Sequence, residues 1–209
     1  MANNKISILQ STKTNLLFLD EGRNAHVYID EGMAKAEAAR LPDVVVTPPR
    51  QYNTGGVAAE FFRMGAVCIM VHDKERTYDY PLAKKYVRPG YYNGDLTANI
   101  LRFKQQPDIR HLEALRECKY LVAGKISHRT AISYAAAHVN KNSAYLCLAF
   151  SDLHEYAKWG KDKVEWAPLE VDYRTLLRIL NGRGLVINPQ GNQLILPSEN
   201  IPAVREEEK

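Results

Sequence analysis

The side chains suited to acid–base, nucleophilic or metal chemistry are few and scattered in this chain. There are six histidines, His26, His72, His111, His128, His138 and His154, and three cysteines, Cys68, Cys118 and Cys147. No histidine pair has the H-x-x-x-H or H-E-x-x-H spacing that aims two imidazoles at one zinc ion from a helix face. No cysteines form a C-x-x-C pair. Neither a metal site nor a cofactor is expected, and no catalytic residue is assigned. Cys68 and Cys147 lie inside apolar runs, where burial raises a thiol pKa and blunts its reactivity. No G-x-S-x-G elbow, G-x-G-x-x-G turn or P-loop occurs.

The remaining candidates are strand-end and loop groups. His72-Asp73 follows the apolar run Ala66–Val71, and Asn188 follows Leu185–Ile187. Strand ends are where α/β proteins place many functional groups. These three residues are the candidates for an enzyme cleft, and a solvent-exposed turn is the plainer reading. Gly55-Gly56 opens a helix and offers backbone N–H groups to an anion; flexibility or close packing is the better explanation. His128-Arg-Thr130 invites a phosphate, or is simply a basic turn.

The most unusual surface segment runs from Tyr78 to Tyr92. It holds Tyr78, Tyr80, Tyr86, Tyr91 and Tyr92, five of the chain's 12 tyrosines, interleaved with Lys84, Lys85 and Arg88. Tyrosine and arginine are enriched at binding hot spots, and basic groups among aromatics can grip single-stranded nucleic acid. The candidate binding residues are therefore Tyr80, Lys84, Lys85, Tyr86, Arg88, Tyr91 and Tyr92, with His72, Asp73 and Asn188. The competing reading packs these rings onto the units they connect.

Composition narrows the class. A chain of 209 residues, 45% hydrophobic and 25% charged, reads as an ordinary globular protein. A net charge of +4 is too mild to announce a nucleic-acid binder. An odd number of distant cysteines suits free thiols in a reducing compartment. No run approaches the roughly 20 apolar residues of a membrane span, and the N-terminus lacks a signal-peptide core. A cytoplasmic location and no membrane partner are expected.

The elements that must position these groups alternate between the two periodicities. Leu16–Leu19 and Ala25–Ile29 predict a hairpin. Asp30 predicts a cap for a helix over 33–39, which Pro42 ends, and Val44–Val46 a short strand. A helix over 55–64 stops at Gly65, ahead of the strand Ala66–Val71. In the second half, strands are expected at Lys119–Ala123, Ala144–Phe150, Val164–Leu169, Leu185–Ile187 and Gln193–Leu196. Ser151 or Asp152 caps a helix to Trp159, and Asp172 caps another. Tyr173, Leu176, Leu177 and Leu180 form one apolar face of that last helix. Helical segments at 95–103 and 109–115 lead into the second half, and a short closing helix is expected from Ser198.

The second half repeats the first. Pro49 recurs as Pro168, Asn53 as Asp172 and Gly65 as Gly184 at one constant spacing, each pair flanking a helix and a strand. The expected fold is α/β (α+β): two tandem similar units with mixed β-sheets, helices packed on them, and a pseudo-twofold arrangement. The units are placed at 1–93 and 94–204, followed by a charged tail, 205–209.

The run Tyr173–Leu180, then Gly184-Leu-Val-Ile-Asn-Pro189, then Leu194-Ile-Leu-Pro-Ser-Glu-Asn-Ile201, resembles the SseB (enhanced serine sensitivity) family. The helical lead-in at Thr97–Leu115, Tyr120-Leu-Val and Leu146–Asp152 before an aromatic helix fit as well. The resemblance spans roughly 95–204, with a diverged copy in the first half. It implies a bacterial cytoplasmic α/β protein without established enzymology. The leading expectation is a non-enzymatic binding module whose partner is another protein. Two alternatives stay open: nucleic-acid or anion binding through 78–104, and an enzyme with a cleft between the units. Exposed sheet edges permit a homodimer.

Overall fold

The computed structural model describes residues 5–48, 50–51, 54–83, 90–127, 131–138 and 145–204. They form two compact units, Met1–Pro107 and Asp108–Lys209. Each is an α+β unit built on a mixed seven-stranded sheet. Among the described residues no helix is long and apolar enough to cross a membrane.

Unit 1 runs β1 (Lys5–Ser11), β2 (Leu16–Leu17), β3 (Asn24–Tyr28), α1 (Glu31–Ala38), β4 (Val44–Val46), β5 (Arg50–Gln51), α2 (Thr54–Arg63), β6 (Cys68–His72), β7 (Thr77–Pro81) and α3 (Gly94–Gln105). β1 is the hub, antiparallel to β2, β3, β4 and β5. β3 and β6 are parallel, and β7 folds back on β6 at the sheet edge. The alternation of a strand sends its residues to two cores. Ile8, Ala25, Val27 and Ile69 meet Val57, Ala58 and Phe61 of α2, while Leu9 and Tyr28 meet Ala34 and Ala38 of α1. Asp30 caps α1 as expected, its carboxylate accepting from Met33 N–H at 3.0 Å.

Three expectations need correction here. β1 falls in a stretch assigned no element, and β2 and β3 both pair with it instead of forming a hairpin; Leu19 and Ala25 share only a single bridge. β7 lies in the segment taken as a connection. The unit boundary falls at 107/108 instead of 93/94, because α3 fills unit 1. Leu101 joins the α2 core, and the Arg23 guanidinium bonds the Asp95 carboxylate at 2.6 Å. Arg102 donates to the backbone carbonyls of Asp20 and Glu21.

Unit 2 runs α4 (Ile109–Glu113), a 3-10 turn (Ala114–Glu117), β8 (Tyr120–Ser127), β9 (Ala131–Tyr134), β10 (Ala136–His138), β11 (Tyr145–Phe150), α5 (Leu153–Gly160), β12 (Ala167–Val171), α6 (Tyr173–Leu180), β13 (Leu185–Ile187) and β14 (Leu194–Leu196). A second 3-10 turn, Ser198–Asn200, stands where the closing helix was expected. β8 is antiparallel to β12, β9 and β11; β11 and β13 are parallel; β14 folds back on β13. β9 and β10 were not anticipated, and β12 starts three residues later than expected, at Ala167. Asp152 caps α5 and Asp172 caps α6. Tyr173, Leu176, Ile179 and Leu180 form the buried face of α6.

The two units therefore thread the same path. A strand leads by a capped helix to an outer strand, then by a second helix to a parallel strand and its hairpin partner. The glycine echo is one of residue type, not of conformation. Gly65 ends α2 in the left-handed region at φ +94°. In unit 2 that conformation falls on Asn181 and Gly182, at φ 46° and 77°. Gly184 instead makes room for the Leu146 side chain and the Leu196 carbonyl, which stand 2.6 Å and 2.8 Å from where its Cβ would be.

Candidate functional site

Counting from the capping aspartates Asp30 and Asp152 and following the parallel ladders, the two sheets can be compared position by position. In unit 1, Asn24, His26 and Tyr28 of β3 pair with Cys68, Met70 and His72 of β6, so all six share one face. Thr77, Asp79 and Pro81 of β7 extend that face. The matching positions of unit 2 are Leu146, Leu148 and Phe150 beside Gly184, Val186 and Asn188. There the face is core: Leu148, Phe150 and Val186 are buried beneath Tyr156 and Trp159 of α5, with Trp166. Over unit 1, α1 presents Met33, Ala34 and Ala38 instead, and reaches Tyr28 and Leu9. His26, Cys68, Met70 and His72 are left half-buried. Small residues on one helix thus leave open a face that aromatic residues close in the other unit.

On this open face four side chains form a hydrogen-bonded chain. Asp20 Oδ2 lies 3.1 Å from His26 Nε2, His26 Nδ1 lies 2.9 Å from His72 Nε2, and His72 Nδ1 lies 3.0 Å from Thr77 Oγ1. With Asp20 ionised and both rings neutral, one proton assignment satisfies every contact. His26 donates from Nε2 to Asp20, His72 donates from Nε2 to His26 Nδ1, and Thr77 donates to His72 Nδ1. Burial pushes the Asp20 pKa up, but hydrogen bonds from Asn24 N–H, the Asn24 amide and His26 outweigh it and leave the carboxyl below its ordinary value. Burial, then the neighbouring His26, lower His72, which favours the neutral ring. Tyr28 stacks on His72 with centroids 4.5 Å apart, and burial pushes its phenol up to about 12.

Unit 2 uses the equivalent strand end differently. Asn188, buried at φ 53°, accepts from Ser151 N–H at 2.8 Å and donates to Ser151 Oγ, which donates to Asp152. Asp152 accepts the N–H groups of His154 and Glu155 at the start of α5. This buried cluster ties β11 and β13 to a helix cap, so the amide of Asn188 is occupied by structural bonds.

A second feature of unit 2 is an exposed apolar strip. Ile126 and Ile132 stand directly opposite across β8 and β9, 79% and 49% exposed. Beside them Gly124 pairs with Tyr134 on β9 and Ala167 on β12. Leu169 and Ile132 close over Gly124, their methyls 2.6 Å and 3.2 Å from where a Cβ would sit. No sequence signal marked this strip, because Ile126 and Ile132 become neighbours only through the β8–β9 hairpin.

The sequence-expected residues fare variously. Lys84, Lys85, Tyr86 and Arg88 lie outside the described residues, as do Pro49, Asn53 and His128-Arg-Thr130. Asp73 closes the β6–β7 turn, its N–H bonding the Arg76 carbonyl and its carboxylate accepting from Lys74 N–H. Tyr80 is exposed on β7. Tyr91 is half-buried, and Tyr92 stacks on Phe62 at 3.9 Å, the packing reading of that ring. His72 is brought to His26, whose part the sequence did not suggest. Among the described residues no three histidine, cysteine, aspartate or glutamate side chains converge as a metal-holding group.

No family model matches the chain, and no curated protein matches it. Among solved structures it is similar to that of Anabaena Tic22, described as protein transport. The likeness covers 90% of this chain and 88% of that one at 10% identity, with a TM-score of 0.25. At that level the similarity carries no argument.

Proposed function

We propose that this chain is a non-enzymatic, SseB-like binding module of the bacterial cytoplasm whose partner is another protein. The observation that carries the reading is the strip of Ile126, Ile132, Tyr134, Ala167 and Leu169. Isolated exposed apolar residues are unremarkable, whereas contiguous ones on a flat sheet face mark interaction surfaces. The buried thiols of Cys118 and Cys147, neither in a disulfide, suit a reducing compartment. Arg102, grouped by sequence with a nucleic-acid surface, spends its guanidinium on carbonyls of its own unit.

The test compares tagged wild type, Ile126→Asp/Ile132→Asp and the exposed control Val164→Asp, each recovered from the source cell. A specific protein held by wild type and control, and depleted at least about tenfold in the double variant, supports the reading. A double variant that keeps every partner overturns it. Self-association, or capture of nucleic acid alone, would replace the partner with a second copy or with the basic segment.

The Asp20–His26–His72–Thr77 chain favours a second reading, in which unit 1 performs proton chemistry with Thr77 as an activated hydroxyl. An acylating probe that labels Thr77 in wild type but not in His72→Gln supports it. Labelling elsewhere, or none, removes it.

A further inference from the structure

The ladders place the β1–β2 hairpin of unit 1 and the β8–β9 hairpin of unit 2 on one pattern. Gln10 pairs with Leu17 and Val45 as Gly124 pairs with Tyr134 and Ala167, and the Leu19–Ala25 bridge is matched by Ala136–Cys147. In unit 1 this face lies beneath α2 and α3, with Leu17 and Leu19 buried in one core with Val57, Phe61 and Leu101. The Gln105 amide donates to the Leu17 carbonyl at 3.3 Å, and Lys13 Nζ donates to the Gln105 carbonyl at 2.9 Å. The end of α3 is thereby tied to the hairpin. In unit 2, α6 takes the place of α2 and sets Ile179 beside Cys147. Among the described residues nothing takes the place of α3: β14 leads to the 3-10 turn Ser198–Asn200 and to no further helix. α4 and its 3-10 turn pack at the far end of β8, where Tyr120 bonds the Leu115 carbonyl. Tyr134 and Ala136 are accordingly half-buried, and Ile126 and Ile132 stand exposed where the same count puts Thr12 and Asn15 in unit 1.

We propose that the apolar strip of unit 2 takes an acidic amphipathic helix of another protein, laid across β8 and β9 where α3 lies in unit 1. This occupant presupposes the protein-partner reading and says what that partner presents. The strip is a sheet face whose backbone is already paired in the β8–β9 and β8–β12 ladders, so it offers side-chain packing and not a strand edge. A helix meets such a face with apolar residues at i, i+3, i+4 and i+7. Charge sets the flanks of that helix. From Cys118 to Ser151, the stretch that carries β8 to β11, the chain holds Lys119, Lys125, Arg129 and Lys141 and no acid. Asp and Glu beside the apolar stripe complement that excess. A second copy fits worse, because two strips facing each other about a twofold axis bring two acid-free hairpins together. A nucleic acid fits worse too, since the exposed pair is aliphatic and gives a base no ring to stack on.

The test pans the full chain against a displayed library of random peptides about 16 residues long, roughly four helical turns. Bound sequences should carry the i, i+3, i+4, i+7 apolar pattern and net negative charge. They should gain helical circular dichroism on binding and lose affinity as salt is raised. Ile126→Ser/Ile132→Ser removes the apolar pair without adding charge and should weaken them at least about tenfold. Selected peptides that alternate apolar and polar residues, that are net basic, or that bind the double variant as tightly overturn the proposal, as does a selection without binders. Capture of phosphatidylglycerol vesicles that the double variant loses, in place of peptides, assigns the strip to a membrane surface and overturns it as well. The two readings fail separately. A cellular partner depleted by Ile126→Asp/Ile132→Asp, alongside non-helical peptides, removes the helix alone; a partner list unchanged by that variant removes the strip.

Discussion

His26 and His72 meet ring nitrogen to ring nitrogen, 2.9 Å apart, diagonally across the parallel ladder of β3 and β6. The contact needs one bare nitrogen, so it is lost when both rings are imidazolium. Burial and the neighbouring His26 hold the His72 pKa below its ordinary 6.5, against a smaller upward pull from Glu37. A base with a depressed folded pKa is protonated more readily in the unfolded chain. Stability is therefore intact above pH 6.5, declines as pH falls through that value, and levels below the depressed folded value. Denaturant unfolding between about pH 7.5 and about pH 5 should show this decline, and His72→Gln should flatten it. An unchanged slope in the variant would assign the decline to other groups.

Thiol chemistry separates the three cysteines. Cys68 is half-exposed, while Cys118 and Cys147 are buried. Iodoacetamide should modify Cys68 alone in the folded protein, with a rate that rises through a pH above the ordinary thiol value of 9.0. Burial sets that direction, with Asp79 and Asp20 adding to it against a backbone hydrogen bond from Tyr80. Peptide mass spectrometry across a pH series checks both the site and the profile.

Three glycines should differ in what an added methyl costs. Gly182→Ala meets no atom within 4 Å, so only its left-handed backbone is penalised, by about 1–2 kcal/mol. Gly65→Ala has the same backbone problem and also drives Cβ to 2.6 Å from the Gly94 carbonyl, on the helix that closes unit 1. It should lose more than Gly182→Ala. Gly184→Ala, at an ordinary φ, should be destabilised by contact with Leu146 and the Leu196 carbonyl alone. Thermal melts of the three variants check the order.

Tyr120 is buried, and its hydroxyl donates to the Leu115 carbonyl at 2.7 Å. Tyr120→Phe keeps the ring against Tyr173 and removes one of two bonds to that carbonyl, which still accepts from Cys118 N–H at 3.2 Å, at a cost of about 0.5–1.5 kcal/mol. Asn188→Gly keeps the left-handed backbone of Asn188 while removing its bonds to Ser151. Its loss should be larger, about 1–3 kcal/mol, because the buried Ser151 N–H is left without its acceptor. Chemical denaturation of each variant checks both.

Much of the chain's punctuation was legible, because caps and stops are local chemistry. Asp30, Asp152 and Asp172 each head the helix they were expected to head. β1 was not legible, since it buries Ser7 and Ser11 among its apolar residues and its role as hub depends on four distant partners. β7 reads as a linker because tyrosine, aspartate and proline alternate in it, and only its ladder with β6 makes it a strand. The faces of α3 were readable, but not which core they would fill. At the candidate site the strand-end position of His72 was visible. His26, Met70 and Cys68 were not, because only a parallel pairing over 46 residues lays them side by side.

β7 ends the unit 1 sheet with Thr77, Asp79, Tyr80 and Pro81 exposed. A second chain adding edge to edge in an antiparallel register centred on Asp79 would lay that carboxylate against its own image, and Pro81 would withhold a ladder N–H. The edge is thereby guarded against fibrillar stacking during synthesis, when neighbouring nascent chains are crowded together.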